Sequence, residues 1–316
     1  MRDSLTIVYS TARAEPCFDW FFKSLEIQRG GGIPVIVVDG RLGHNETLDE
    51  MRGKELRAAA GPRLGAVSHV PVKPNPWQGR HRLTREDWWA AAAARNTGLC
   101  LCRTPWVAFL DDRCVLAPGW LDRAAAALTR PGVTAGSYRK HWHLRVEYGR
   151  VVDEGQVMGR DHRAAPEMIR RFGDPVGGAY RTPYCGHTFG CCLVSRVEDI
   201  LAVNGFDESC DGLGGEDSIL GVNLEASGIP IWFDPALLMI EDRTPEYSGP
   251  TMKKTDKGVS PNDKSHAMVA RSRGRPRATH AVDLRAVREM VLRGDKFPPY
   301  AGPDCDWYDG QPMREM

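Results

Sequence analysis

No stretch of this sequence holds the roughly 20 consecutive apolar residues that a bilayer-spanning helix needs, and Met1 is followed by Arg2, Asp3 and a short β-like run rather than the apolar core of a secretory leader. Those absences argue against a membrane partner and predict a reduced, cytoplasmic protein. Charge of one sign is missing as well. With 42 Lys and Arg against 41 Asp and Glu, overall electrostatics calls for neither nucleic acid nor an anionic surface. The nine cysteines contain no CxxC pair. Cys100/Cys102 and Cys191/Cys192 sit in apolar segments, spaced for packing rather than for zinc, and an odd number suits reduced thiols. The nine histidines offer no compact ligand pair except His141-x-His143, whose members would share a face on a strand; acceptor contact or plain surface suits it better than a metal. There is no internal repeat.

What is present is an α/β pattern. Leu5–Tyr9 reads as a buried strand that ends in a polar turn at Ser10–Arg13. Pro16 suits the first turn of a helix, and Phe18, Phe21, Phe22 and Leu25 recur on one helical face. Gly30–Gly32 ends that helix, and Pro34–Val38 is a second apolar strand followed by Asp39-Gly40. Strand, helix and strand within about 40 residues make a βαβ unit, so the sheet is at least partly parallel. Ligands bind beyond the carboxyl ends of such strands, which puts Thr11, Arg13 and Asp39 on the functional rim. Ala66–Val70 is a weaker strand. Thr84–Asp87 resembles a helix cap opening a helix through Trp88, Trp89 and an alanine run to Arg95-Asn96. Trp106–Leu110 is a third buried strand, and Pro118–Leu121 begins a helix. Hairpin strands are expected near 137–146, a strand at 190–195 with a short helix after it, a helix from Glu216 to Ala226, and a strand from Ile229.

The chemistry concentrates in carboxylates. Asp111-Asp112 ends a buried strand, where aspartate is a poor strand former and costly to bury. Two at the mouth of a parallel sheet suit a divalent cation bridging phosphates, although a turn into solvent would use the same residues. Asp39 could accept a base N–H or ribose hydroxyl, or start the turn at Gly40. Glu216-Asp217 opens a helix after nearby glycines, where acids also favour the helix N-terminus. Residues 243–316 are polar and rich in Pro, Lys and Arg; eight basic residues between Lys253 and Arg277 face only Asp256 and Asp263. Arg273-Gly-Arg-Pro-Arg277 resembles the core of a minor-groove-binding hook, or is a solvated loop.

Taken in order, Ala94–Gly98 and Trp106–Leu121 resemble the helix and metal-motif strand of GT-A glycosyltransferases, closest to the inverting family 2 and the polypeptide N-acetylgalactosaminyltransferases. Gly190–Cys192, Asn204-Gly-Phe-Asp-Glu208 and Gly214–Leu220 are similar to the acceptor side of β-1,4-galactosyltransferases. The resemblance spans residues 5–242. It implies a catalytic domain over 1–242, with 1–130 as the nucleotide-sugar half and 131–242 as the acceptor half, and 243–316 as an extension. It implies an NDP-sugar donor, UDP favoured, and inverting transfer to a hydroxyl on a glycan, a protein or a modified DNA base; a catalytically silent homologue is the other-class alternative. By the same resemblance Thr11, Arg13, Asp39, Arg95, Asp111 and Arg113 serve the nucleotide-sugar, Asp217 is the general base and Glu216 holds an acceptor hydroxyl or orients the loop. A Mn²⁺ or Mg²⁺ ion would sit on Asp112 and Asp242. Two departures stand out: Arg113 replaces the motif's last acid or His, and Asp242 stands where the galactosyltransferases have His. Arg113 could itself reach the diphosphate.

Overall fold

A computed structural model describes residues 1–28, 32–43, 46–74, 90–157, 176–182, 188–210, 215–244 and 283–298. The Thr84–Asp87 cap and the Arg273–Arg277 motif lie outside them.

The βαβ expectation holds. Strand β1 (Leu5–Thr11) is followed by helix α1 (Phe18–Ile27), strand β2 (Val35–Asp39), helix α2 (Glu46–Ala60) and strand β3 (Val67–Pro71). Helix α3 (Ala91–Leu101) leads to β4 (Trp106–Asp111), β5 (Cys114–Leu116), α4 (Trp120–Ala127) and β6 (Val133–Trp142). The small strands β7 (Arg145–Glu147), β8 (Arg150–Asp153), β9 (Gln156–Val157) and β10 (Tyr180–Thr182) follow. Then come β11 (Cys192–Arg196), α5 (Val197–Ala202), α6 (Glu216–Ala226), β12 (Ile231–Asp242) and α7 (Leu284–Leu292). The main sheet runs β10-β12-β6-β11-β4-β1-β2-β3, with β5 beside β12 and β9 beside β6.

β1 pairs in parallel with both β2 and β4, and β3 continues the parallel half. β11 enters antiparallel between β4 and β6, and β12 lies parallel to β6. Strands on both sides of β11 therefore point the same way. The carboxyl ends of β1, β2, β4, β6 and β12 share one rim. β1, β2 and β4 are buried on both faces, which explains their near-continuous apolar sequence. One core layer lies under α1 and α4, with Phe21, Phe22, Trp120 and Met239; the other lies under α3, α5 and α7, with Phe109, Phe206, Val287 and Val291.

Two expectations about chain direction are revised. Pro16 does not enter a helix; Cys17 takes φ 54° and the helix starts at Phe18. Part of the polar extension is an ordered helix. Asp283 accepts hydrogen bonds from the amides of Arg285 and Ala286, and α7 buries Leu284, Val287 and Val291 in the second core layer.

Candidate active site

Thr11, Asp39, Asp111 and Asp242 stand at strand carboxyl ends, and Arg95 on α3 joins Asp111 to Glu216 at the start of α6. On β1, Thr11 Oγ1 donates to Asp112 Oδ2 at 2.6 Å, and Arg13 Nε donates to Asp112 Oδ1 at 2.8 Å. One side chain on α3 then ties the two halves together. Arg95 sits below helix α6 and β4 and donates to Asp111 Oδ1 at 2.8 Å and to Glu216 Oε1 at 2.6 Å. The guanidinium is 3% exposed and lies over the Phe206 ring. Gly190 makes room for it: a Cβ there would come within 2.5 Å of the guanidinium carbon. Charge-assisted bonds on both arms fix the fork. The acid at the end of β4 and the acid that opens α6 thus meet through a single residue.

Asp217 follows Glu216 on α6. Its Oδ1 accepts the Ser218 amide at 2.7 Å, and Thr188 Oγ1 donates to its backbone carbonyl at 2.6 Å. The helix is entered through Gly215 at φ 89°, with no side-chain cap from that residue, and Asp217 itself satisfies one first-turn amide, part of the helix-terminus role that the sequence also allowed. Burial, reinforced by the negative Glu216 beside it, pushes the Asp217 carboxyl up to about 7 against the partial offset of Arg95. A carboxyl poised there can take a proton near neutral pH.

Asp39 has no exposed surface. Arg52 reaches its Oδ2 through Nε at 2.9 Å and Nη2 at 2.8 Å, His69 Nε2 lies 3.2 Å from the same oxygen, and the Arg41 amide donates to Oδ1. Burial raises its carboxyl, but the His69 hydrogen bond and the Arg52 charge win and hold it below the usual carboxylate range. A direct contact with a base or ribose requires one of these bonds to open.

Arg113 and Asp242 form the next pair. Arg113 Nη2 and Nε donate to Asp242 Oδ2 at 2.5 and 3.2 Å, and Nη1 donates to the Glu15 carbonyl at 3.0 Å. Asp242 Oδ1 accepts Thr244 Oγ1 at 2.7 Å and the Leu144 amide at 3.2 Å. These bonds outweigh burial and lower its carboxyl. Glu241, its neighbour on β12, turns to the opposite face, as strand alternation requires. It is fully buried, 2.5 Å from Arg243 Nε and 3.8 Å from Arg13 Nη2. Burial raises its carboxyl despite Arg243 and Lys140. The sequence reading passed over Glu241, although alternation along β12 separates it from Asp242.

The residues present do not fit a divalent cation on Asp112 and Asp242. Both oxygens of each carboxylate already accept protein donors, and among the described residues no group of three or more His, Cys, Asp or Glu side chains could hold a metal ion. His141 is buried with Nδ1 on the Glu154 carbonyl, and His143 lies past the end of β6 at φ 60°. The two do not form a shared strand face.

The Asn204–Glu208 segment performs a scaffolding task. Asn204 Oδ1 accepts the Leu284 amide, the Asn96 amide nitrogen donates to the Phe206 carbonyl and to Glu208 Oε1, and Lys73 Nζ sits 2.7 Å from Glu208. Gly205, at φ 75°, leaves no room for a Cβ against Leu284 and Asn96. The motif fastens α7, α3 and the loop after β3 behind the site.

The model of glycosyl transferase family 2 matches residues 72–190. A pre-mycofactocin glycosyltransferase of Mycobacterium tuberculosis is 29% identical over 184 residues, covering 55% of this chain and 36% of that protein. Among solved structures, GalNAc-T7 with UDP, GalNAc and Mn²⁺ superposes with TM-score 0.58 at 16% identity, covering 85% of this chain and 47% of the other. TarS 1–349 of S. aureus in complex with UDP superposes with TM-score 0.52 at 13% identity, covering 85% and 65%. This is the GT-A fold of glycosyltransferases. Family model, curated relative and fold agree on the glycosyltransferase class. The chain spans about a third of the curated relative's length. The matched residues include Arg95, Asp111 and Arg113, whereas Asp39, Asp217 and Asp242 lie outside them. No described helix is long and apolar enough to cross a membrane.

Proposed function

We propose that this GT-A glycosyltransferase moves a sugar from a nucleoside diphosphate, UDP favoured, to a hydroxyl acceptor in one inverting displacement with Asp217 as general base. The observation that carries the reading is the Arg95 bridge, which brings Asp111 at the end of β4 and Glu216, next to Asp217 at the start of α6, to the same guanidinium. Asp217 Oδ takes the acceptor hydroxyl proton, the acceptor oxygen bonds to the anomeric carbon, and the bond from that carbon to the diphosphate oxygen breaks, releasing the nucleoside diphosphate. Asp217 as the one carboxylate assigned to the base role gives inversion. Glu216 orients the catalytic loop through Arg95. The solved relative with UDP and the one with UDP and Mn²⁺ support the donor class.

Asp217→Asn keeps the shape and removes the base. Acceptor-dependent release of UDP should fall by about 10²–10⁴-fold, while calorimetric binding of the donor stays close to wild type. Near-normal turnover of the Asn variant rules out this base assignment. No observation favours the DNA acceptor, since the hook-like Arg273–Arg277 lies outside the described residues. The poised Asp217 argues against a silent homologue.

A further inference from the structure

Arg113 stands at the third position of the strand-end acidic motif, and its whole setting is built to hold a cation there. Its backbone takes φ 52°, a region that side chains with a Cβ seldom enter. The conformation is pinned on both sides: the Arg113 amide donates to the Pro16 carbonyl and to Tyr9 Oη, and its carbonyl accepts the Asp242 amide. The guanidinium is 3% exposed, rests over the Trp20 ring and spends its donors on Asp242 and the Glu15 carbonyl.

The same construction repeats around the rim. Arg13 sits on Asp112, and Arg243 sits on Glu241, with Arg13 Nη2 also 3.8 Å from Glu241. Each rim acid expected to present oxygens to a metal presents them to an arginine. A divalent cation needs several carboxylate lone pairs pointed at one centre. Here one oxygen of each carboxylate takes N–H donors from an arginine that cannot give up its charge, and the other takes a threonine hydroxyl, joined on Asp242 by the Leu144 amide. Glu241 is the one fully buried carboxylate without a well-aligned hydrogen bond, but Arg243, Arg13 and Lys140 reach it first. The rim is charge-matched by side chains alone. Two of the three arginines keep part of their surface towards solvent, with side-chain exposures of 11% for Arg13 and 31% for Arg243.

We propose that the donor diphosphate is held and neutralised by this carboxylate-seated guanidinium set, Arg13 and Arg243 with Arg113 filling the metal's place, so that transfer proceeds without a divalent cation. Guanidinium forks match phosphate oxygens in planar pairs, and the seating acids preset their orientation. This rests on the nucleoside diphosphate reading of the donor site. It breaks with the metal-dependent pattern that the sequence resemblance implied.

The full chain is titrated with UDP, GDP and uridine by calorimetry in EDTA and in Mn²⁺, with Mn²⁺ electron paramagnetic resonance recording any bound ion. The expected result is diphosphate binding that agrees within about twofold in the two buffers, with the Mn²⁺ signal remaining that of the free ion or its nucleotide complex. Arg243→Met should weaken the preferred diphosphate by about tenfold or more while leaving uridine unchanged. Arg13→Met should do the same, so a folding defect in one variant leaves the other as the test. Diphosphate binding that appears only with Mn²⁺, with protein-bound ion in the spectrum, overturns the proposal and leaves the donor reading standing. Absence of diphosphate binding in both buffers overturns both.

Discussion

The strand-end rim and the start of α6 use the same residue types to opposite ends. At the rim, Asp39 and Asp242 are each clasped by an arginine, and their carboxyls are lowered. At the start of α6, Asp217 has one amide donor at its carboxylate, feels Arg95 through its charge alone, and is pushed up to about 7. Burial acts on all three. The hydrogen bonds that each carboxylate accepts, with an arginine charge beside them, decide the sign: His69, Arg52 and the Arg41 amide lower Asp39, and Thr244, Arg113 and the Leu144 amide lower Asp242. Glu241, fully buried and without such bonds, is raised despite its cationic neighbours, as Asp217 is.

The largest break in this contrast is to unclasp a rim acid. Arg52→Met strands Asp39 as an unpaired buried charge and should cost about 3–5 kcal/mol of stability, visible in urea unfolding near neutral pH. A variant as stable as wild type would mean that Asp39 is not held as described. Next in size is the scaffold behind the site. Gly205→Ala forces a Cβ to 2.3 Å from Leu284 Cδ1 at a positive φ, and should cost about 1–3 kcal/mol, with α7 losing amide-exchange protection first. Unchanged protection would detach α7 from the Asn204–Glu208 segment.

The smallest effect has the opposite sign. Because the folded-state pKa of Asp217 lies above its unfolded value, its stabilising contribution is full at low pH and disappears as pH rises through about 7. Asp217→Asn should therefore melt higher than wild type at pH 8, by about 1 kcal/mol or roughly 2 °C, and the gap should close towards pH 5. A gap that widens on acidification would mean that the carboxylate is stabilised as an anion.

Much of this architecture was legible. Continuous apolar runs marked β1, β2 and β4, and the polar residues at their ends marked the rim, because a strand buried on both faces can place aspartate only where it stops. Asp217 was found from its motif rather than from pattern. What sequence could not show was partnership. Arg52 lies on α2, a helix whose thin apolar stripe of Leu56 and Ala60 gave little signal, and its burial makes sense only beside Asp39. The seating of Arg113 on Asp242 spans 129 positions of chain. Helix α7 did carry a readable signature, Asp283 as cap with Leu284, Val287 and Val291 on one face, but it is embedded in a polar, basic extension whose composition masked it. In the resemblance, Asn204–Glu208 belonged to the acceptor side, whereas the structure gives it internal hydrogen bonds.

The central claim is that Asp217 is a base tuned by Glu216 across the Arg95 bridge, and the pH dependence of kcat/KM tests it most directly. Wild-type kcat/KM should rise with pH to a plateau with an apparent pKa near 7, and Glu216→Gln, which removes the negative neighbour and leaves Arg95 to Asp111 and Asp217, should move that limb to lower pH. An acid limb that stays in place in Glu216→Gln, or a wild-type profile flat between pH values of about 5 and 8, would contradict it.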